Sequence, residues 1–383
     1  VGGVHPADLS VPVVKQILKD TKINPADIDE VIVGNVLMAG FGQGIARQVS
    51  INSGIPDEVP AYGINMICGS GMKSVMQAYT DIIAGQADVV LAGGTENMTM
   101  GGFIVPGNVM RNGQKMGDLN MIDHMVYDGL TDAFSKLHMG ITAENIAERH
   151  NITREEQDEF SFNSQQKAIA AVDAGKFKEE IVPVVIPNRR GDITFDTDEY
   201  PNRTTNQEKL AGLRPAFKKD GSVTAGNASG INDGASFVLL VSEEAMKKYN
   251  LTPMVEIIGI GQGGVAPDVM GLGPVPAIRK ALKMADVKLQ DIDVLELNEA
   301  FAAQSLGVNK LLVEEHEVSN EWLCERTNRN GGAIALGHPI GASGNRILVT
   351  LIHEMKRAGD QIGLASLCIG GGMGNAIIVK NCK

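Results

Sequence analysis

The sequence predicts an α/β fold built from two duplicated halves around a polar insertion. Three observations carry this reading: an internal repeat, helices alternating with short apolar strands, and a central stretch that breaks the symmetry. Pro12–Val36 reads PVVKQILKDTKINPADIDEVIVGNV and Pro276–Ala300 reads PAIRKALKMADVKLQDIDVLELNEA, 25 positions without a gap. Each runs through a helix, a short turn, an Asp-Ile-Asp step and an apolar strand. Asp27, Ile28 and Asp29 stand opposite Asp291, Ile292 and Asp293.

The likeness continues along each half. Gly69-Ser70-Gly71 precedes one expected helix as Ala342-Ser343-Gly344 precedes another. After Gly71, residues Met72, Val75, Met76, Tyr79, Ile82 and Ile83 follow helical spacing, Gly85 ends the run, and Val89–Ala92 reads as a strand. After Gly344, residues Ile347, Leu348, Leu351, Ile352 and Met355 repeat the spacing, Gly359 closes the helix, and Ile362–Leu367 reads as a strand. Such alternation implies mostly parallel sheets covered by helices, as two α/β layers packed together. The central stretch is more polar, with helices expected at Ala143–Arg149 and Glu155–Ala174, the second capped by Thr153 with Glu156 three residues on. The expected division is an N-terminal α/β half over 1–100 completed by 224–247, an inserted loop or substrate domain over 101–223, and a C-terminal α/β half over 248–383.

With 43% hydrophobic and 21% charged residues, 383 residues can bury a large core. The net charge of −12 argues against nucleic-acid partners, which need clustered Lys and Arg. Cys68, Cys324, Cys368 and Cys382 form no CxxC pair and show no metal-ligand spacing with His, so neither a metal site nor a disulfide framework is expected. No stretch approaches a membrane span, and a reducing, cytoplasmic setting fits. The chain begins at Val1 without a Met, which leaves room for a short targeting segment upstream.

Four glycine-rich or strand-end motifs can carry chemistry. Cys68, in Asn65-Met66-Ile67-Cys68-Gly69-Ser70-Gly71, sits at a strand-to-helix turn, where free N–H groups and the helix dipole favour thiolate and glycines keep it accessible. An inert buried cysteine fits the same position. His338 precedes Pro339, which forces it out of helical geometry onto an extended turn able to face a cleft; a turn histidine bonded to backbone is the alternative. Cys368 ends a strand and opens Cys368-Ile369-Gly370-Gly371-Gly372, whose N–H groups suit a developing oxyanion or, equally, a tight turn. Asn298 and Glu299 follow the apolar strand Asp293–Leu297, where open α/β sheets place ligands, although both can also cap a helix. Gly259–Gly264 fits GxGxxG, but Val265-Ala266-Pro267 follows instead of a helix, so a strand or turn is expected there and no dinucleotide site.

Taken together, CGSG, NEAF, GHPIGASG and CIGGGMG, in this order and at these spacings, resemble the CoA-dependent thiolases over nearly the whole chain. HMGITAEN at His138–Asn145, LRPAF at Leu213–Phe217 and TAGNASGINDGA at Thr224–Ala235 strengthen the likeness. The resemblance implies a layered α/β/α/β/α core and acetyl transfer with Claisen condensation of two acetyl-CoA, or the reverse thiolysis. It makes Cys68 the acyl-accepting nucleophile, Cys368 the acid/base at the α-carbon, and His338 the activator of Cys68 and a stabiliser of the enolate. Asn298 would hold a water beside His338 in one oxyanion hole, and the N–H groups of Cys68 and Gly370 would form another. Coenzyme A contacts carry over to Leu130, Phe217, Ala225, Ser229, Ala300 and Phe301, while His138, Met139 and Met270 resemble short-chain, acetoacetyl-type members. Coenzyme A and acetyl-CoA are implied as substrates, with no tightly bound cofactor and a homodimer or homotetramer as the assembly.

Rival readings are a broader-chain 3-ketoacyl-CoA thiolase, a decarboxylating ketoacyl synthase and a catalytically silent carrier or scaffold. The synthase would commonly place His where Cys368 stands, and a silent relative would lack Cys68, His338 or Cys368. Two departures from the family stand out. An earlier strand normally precedes Gly2-Gly3, so an unpaired sheet edge is expected, and the polar stretch Val313–Asn330 reads as a surface loop.

Overall fold

Proline, asparagine and aspartate set the rhythm of the first half. In the computed structural model, which describes residues 1–382, helix α1 (Pro6–Thr21) starts at a proline, with the His5 ring accepting from Ala7 N–H, and stops at left-handed Lys22. A 3-10 turn at Pro25–Asp27 follows, capped by Asn24. Strand β1 (Glu30–Gly34) then pairs in parallel with β2 (Ala61–Ile64) on one side and β3 (Val89–Asn97) on the other, with α2 (Ile45–Asn52) between β1 and β2 in the chain and α3 (Ser70–Ile83) between β2 and β3. Strand β4 (Asp233–Val241) returns after the insertion to pair antiparallel with β3.

The second half repeats this plan. Strand β5 (Val255–Gly264) leads to α6 (Pro274–Ala285), a 3-10 turn at Leu289–Asp291 and β6 (Val294–Leu297). After α7 (Ala302–His316), α8 (Asn320–Arg326) and α9 (Ile340–Ala358), strands β7 (Ile362–Ile369) and β8 (Met373–Asn381) complete a sheet of order β6-β7-β8-β5. The Asp-Ile-Asp repeat now has a cause. Asp29 Oδ2 accepts from Asp88 and Val89 N–H at 2.8 and 2.9 Å, and Asp293 Oδ2 accepts from Gln361 and Ile362 N–H at 2.8 and 3.0 Å. In each half the second aspartate ties the start of β1 or β6 to its parallel neighbour.

Five layers result. Helices α1 and α2 cover the outer face of the first sheet, and α6 and α7 the outer face of the second. Helices α3 and α9 lie between the sheets, where Met72, Val75, Ile347, Leu351 and Met355 meet Ile32, Ala92, Val294 and Ala365. The expectation of mostly parallel sheets fails for the second sheet, where only β6–β7 is parallel. The Gly370–Gly372 turn is too short for a crossover, so β7 and β8 form an antiparallel hairpin. The GxGxxG run lies within strand β5. Beyond β4, among the described residues, no strand takes the place that β5 holds in the second sheet.

Three further expectations change. Helices α3 and α9 begin at Ser70 and Ile340, so Gly69-Ser70-Gly71 and Ala342-Ser343-Gly344 lie in or at their first turns instead of before them. Residues 313–330 are mainly helical: α8 buries Leu323 against the second core and Trp322 packs beside it, a pattern hidden by the polar residues between them. In the insertion, α4 (Met139–Arg149) starts four residues before the expected Ala143, whereas α5 (Arg154–Asp173) forms as read to within a residue at each end, with the Thr153–Glu156 capping box in place.

Candidate active site

The Cys68 turn is built by its neighbours' polar groups. Ser70 Oγ donates to Ile67 C=O at 2.6 Å and accepts from Met66 N–H at 2.8 Å, while Asn65 Oδ1 accepts from Ile67 N–H. This lacing holds Ile67 at a φ of 46°, a strained conformation for a β-branched residue, and aims the next side chain away from the helix. The flanking glycines serve packing: a Cβ on Gly71 would stand 2.8 Å from Gly341 C=O, and one on Gly69 would strike the Ile369 side chain. They let α9 and β7 close in on the cysteine, which is half-buried.

His338 lies on the extended turn its Pro-containing motif required, just before Ile340 opens α9, and is buried. Ser343 Oγ donates to Pro339 C=O at 3.0 Å and therefore accepts from His338 Nδ1–H at 2.6 Å. That choice leaves Nε2 unprotonated, buried and without a hydrogen-bond partner. The His338 N–H is held by Asn232 Oδ1 at 3.0 Å. Burial, aided by the Arg346 charge, pushes His338 down to about 4, so the imidazole is neutral at physiological pH.

Cys368 is the last residue but one of β7, opposite Gly374. It is buried, and burial, with a smaller contribution from the nearby Cys68 sulfur, holds its thiol far above the ordinary range. Burial also pushes Cys68 up to about 11, against N–H groups of Gly370 and of Cys68 itself that face its sulfur. The helix start therefore does not make a resting thiolate, because desolvation outweighs the dipole. Both sulfurs rest as thiols, and a neutral base must take the proton.

Asn298 and Glu299, at the end of β6, have separate fates, and neither caps α7, which starts at Ala302. The Asn298 side chain is buried with neither polar atom partnered. Glu299 accepts from Ser164 Oγ at 2.6 Å, Asn328 Nδ2 at 2.9 Å and Ile334 N–H at 3.3 Å, which fastens α5 and the Asn330–Leu336 segment to the second half.

An apolar wall completes the site. Met139, Met270, Ala300, Phe301 and Cys368 share one buried cluster with Phe217 packed on it, and Leu130 packs in a second cluster with Cys68. The His138 ring stacks on Phe217 with centroids 4.4 Å apart, and Phe217 meets Phe301 edge-on at 6.2 Å. Ser229 Oγ donates to Ala300 C=O at 3.0 Å. Ala225 is exposed, on the turn closed by Asn227. Ser70, Ser343, Asn232 and Glu96 were not singled out from the sequence, although Glu96 ends a buried strand where ligand-site residues gather.

Two thiols, a neutral imidazole and paired N–H donors beside an apolar wall suit acyl transfer, and comparison with known proteins agrees with that reading. The chain matches the families described as "Thiolase, N-terminal domain" over residues 2–244 and "Thiolase, C-terminal domain" over residues 251–381. It is 53% identical to a Staphylococcus aureus protein named "Probable acetyl-CoA acyltransferase", covering 98% of this chain and 93% of that one. It is also 53% identical to the Chromobacterium violaceum "Acetyl-CoA acetyltransferase", covering 97% and 93%. The solved structure of acetyl-CoA acetyltransferase from Syntrophomonas wolfei superposes with a TM-score of 0.96 at 41% identity, covering 100% of this chain and 94% of that one. Site, fold and sequence thus converge, and the chain belongs to the thiolase family.

Proposed function

We infer that this thiolase condenses two acetyl-CoA to acetoacetyl-CoA and CoA, or runs the reverse thiolysis, through an acetyl-Cys68 intermediate. The observation that carries this reading is the pair of neighbouring thiols, Cys68 and Cys368, beside a neutral His338 with a free Nε2. His338 Nε2 takes the Cys68 proton as the sulfur attacks the thioester carbonyl, and the CoA thiolate leaves with the proton of Cys368, which makes Cys368 the thiolate of the second half-reaction and leaves His338 protonated. The N–H groups of Cys68 and Gly370 stabilise the oxyanion of that tetrahedral intermediate. In the second half-reaction the Cys368 thiolate removes a methyl proton from a second acetyl-CoA, the resulting enolate carbon attacks acetyl-Cys68, and the Cys68 sulfur leaves acetoacetyl-CoA and takes its proton back from His338. His338 and Asn298, with a bridging water, hold the enolate oxygen. A relay that starts from neutral groups avoids storing a buried charge in the resting enzyme.

The apolar wall of Leu130, His138, Met139, Phe217, Ser229, Met270, Ala300 and Phe301, with Ala225 at its rim, suits a pantetheine arm and limits acyl length. Residues 101–223 supply much of it. Exposed Phe103, Met110, Met116, Met121 and Phe134 on this insertion support a homo-oligomer, dimer or tetramer. We place the enzyme in the cytoplasm, feeding acetoacetyl units to lipid and isoprenoid-precursor synthesis. No helix among the described residues is long and apolar enough to cross a membrane.

The test is Cys368→Ser. The variant is expected to become acetylated at Cys68 by acetyl-CoA while losing at least 100-fold in condensation, roughly the scale of a lost acid/base. Unimpaired condensation would refute the assignment. A second reading, a broader-chain 3-ketoacyl-CoA thiolase, draws support from the human mitochondrial 3-ketoacyl-CoA thiolase, whose CoA complex is 43% identical with a TM-score of 0.92 over 100% of this chain and 93% of that one. Thiolysis rates that rise with acyl length would favour it.

A further inference from the structure

Glu96 is fully buried at the end of β3, with no Lys or Arg paired to it. Four donors surround its carboxylate instead. Oε1 accepts from Asn35 Nδ2 at 3.0 Å and Leu37 N–H at 3.1 Å, and Oε2 accepts from Val36 N–H at 3.0 Å and Gly341 N–H at 2.9 Å. A surrounding made only of N–H donors matches an ionised carboxylate, which only accepts, and mismatches a neutral amide or acid, which must also donate. The donors come from both halves. Asn35, Val36 and Leu37 follow β1 in the first half, and Asn35 N–H also bonds Ile64 C=O, four residues before Cys68. Gly341 lies in the first turn of α9, three residues after His338. An anion at that helix start is further favoured by the dipole.

The fit leaves no slack. A Cβ on Gly341 would lie 2.5 Å from Glu96 Oε2 and 2.8 Å from Thr95 C=O, so α9 rests its backbone directly on the end of β3. Around the carboxylate, Val36, Leu37, Met98 and Ile340 form a small buried cluster against which Ile67 and Cys68 pack. We propose that Glu96 is a positioning residue that holds the His338 turn of one half in register with the Cys68 turn of the other. It carries the alignment the reaction needs across a boundary that β-sheet hydrogen bonds do not cross. The inference rests on Cys68 and His338 being the reacting pair.

Its charge also reaches the reacting sulfur. The titratable groups facing Glu96 are Cys68 and, from β4, Asp233; neither Asn35–Ala39 nor Ile340–Asn345 contributes one. Burial pushes Glu96 up to about 7 against the N–H donors, so it is ionised through the alkaline range where Cys68 titrates, and there it disfavours the thiolate.

The experiment compares the full-length enzyme with E96Q and E96D for acetyl-CoA condensation and for the pH dependence of Cys68 alkylation by iodoacetamide, with the label mapped by mass spectrometry. E96Q is expected to lose at least tenfold in kcat with KM for acetyl-CoA changed less than threefold, and its alkylation profile should move to lower pH. E96D, which keeps the charge on a shorter arm, should keep the profile while recovering only part of kcat. Wild-type kcat in E96Q with an unmoved profile overturns the proposal. So does a loss confined to thermal stability. Should E96Q not fold, N35A removes one donor and keeps the charge; a three- to tenfold loss in kcat supports the proposal and none overturns it. Acetyl label on wild-type Cys68 tests the underlying assignment separately, since its absence would sink the reacting pair whatever Glu96 does.

Discussion

At the scale of single residues, the site works by keeping its groups neutral until they react. With Cys68 raised to about 11 and His338 lowered to about 4, iodoacetamide should alkylate Cys68 through a broad plateau between those limits, because neutral His338 is available as base throughout. The His338→Asn variant should lose the plateau, by roughly 10²- to 10⁴-fold, and retain only the alkaline limb where the thiol ionises unaided. A plateau that survives in that variant would remove His338 from the mechanism. Ser343 acts through His338 by fixing the tautomer with Nδ1–H. Ser343→Ala should cost about one hydrogen bond, a five- to tenfold fall in the Cys68 acetylation rate with KM little changed. Stopped-flow acetylation would separate the two. The candidates Cys68, His338 and Cys368 stand out in the sequence because a turn or strand end near glycine is a local signal, and Asn298 because it follows an apolar strand. Asn232 and Glu96 carry no such signal, since their partners lie 106 and 245 positions away in the chain.

At the scale of elements, the two central helices explain what the GSG motifs are for. A Cβ on Gly344 would stand 2.6 Å from Met72 N, and one on Gly71 would stand 2.8 Å from Gly341 C=O. Helices α3 and α9 cross backbone to backbone, and each brings one catalytic turn to the crossing. Gly344→Ala is therefore expected to cost about 1–3 kcal/mol as an overpacked contact. It should also slow both half-reactions, which urea unfolding together with acetylation assays would reveal. A neutral outcome would show that the helices can separate without harm. Thr153→Ala, at the capping box of α5 and remote from the sulfurs, gives the contrast: about 1 kcal/mol of stability lost with the rate per folded molecule unchanged. The capping box was legible because it is written in four consecutive residues. The burial of α8 was not, since only Leu323 and Trp322 reveal its apolar side, and the helix starts of α3 and α9 were obscured because glycine is a poor helix former wherever a close crossing does not demand it.

At the scale of the whole molecule, duplication was readable because each half repeats its capping aspartate, and the alternation of helix and strand gave the layers. Strand direction in the second sheet was not readable from that alternation, because a hairpin and a crossover leave similar apolar runs. A second global property follows from what the layers enclose. Glu296, on β6 under the central helices, is buried with Arg346 Nη1 at 3.9 Å and one carboxylate oxygen unpartnered. Burial, opposed by Arg346 and reinforced by the neighbouring Glu180, pushes its carboxyl up to about 8. A folded-state value above the unfolded one means that the native state binds this proton more tightly. The contribution to stability is thus fully present below the ordinary glutamate range and is lost as pH rises through about 8. Gln in its place mimics the protonated acid and does not titrate. Glu296→Gln is expected to unfold at nearly the wild-type temperature at pH 4 and increasingly above it as pH rises to about 8, the gap levelling off beyond, as calorimetry across that series would record. Parallel curves, or a gap that narrows with pH, would mean that Glu296 is ionised in the native state at neutral pH and that Arg346 alone outweighs its burial.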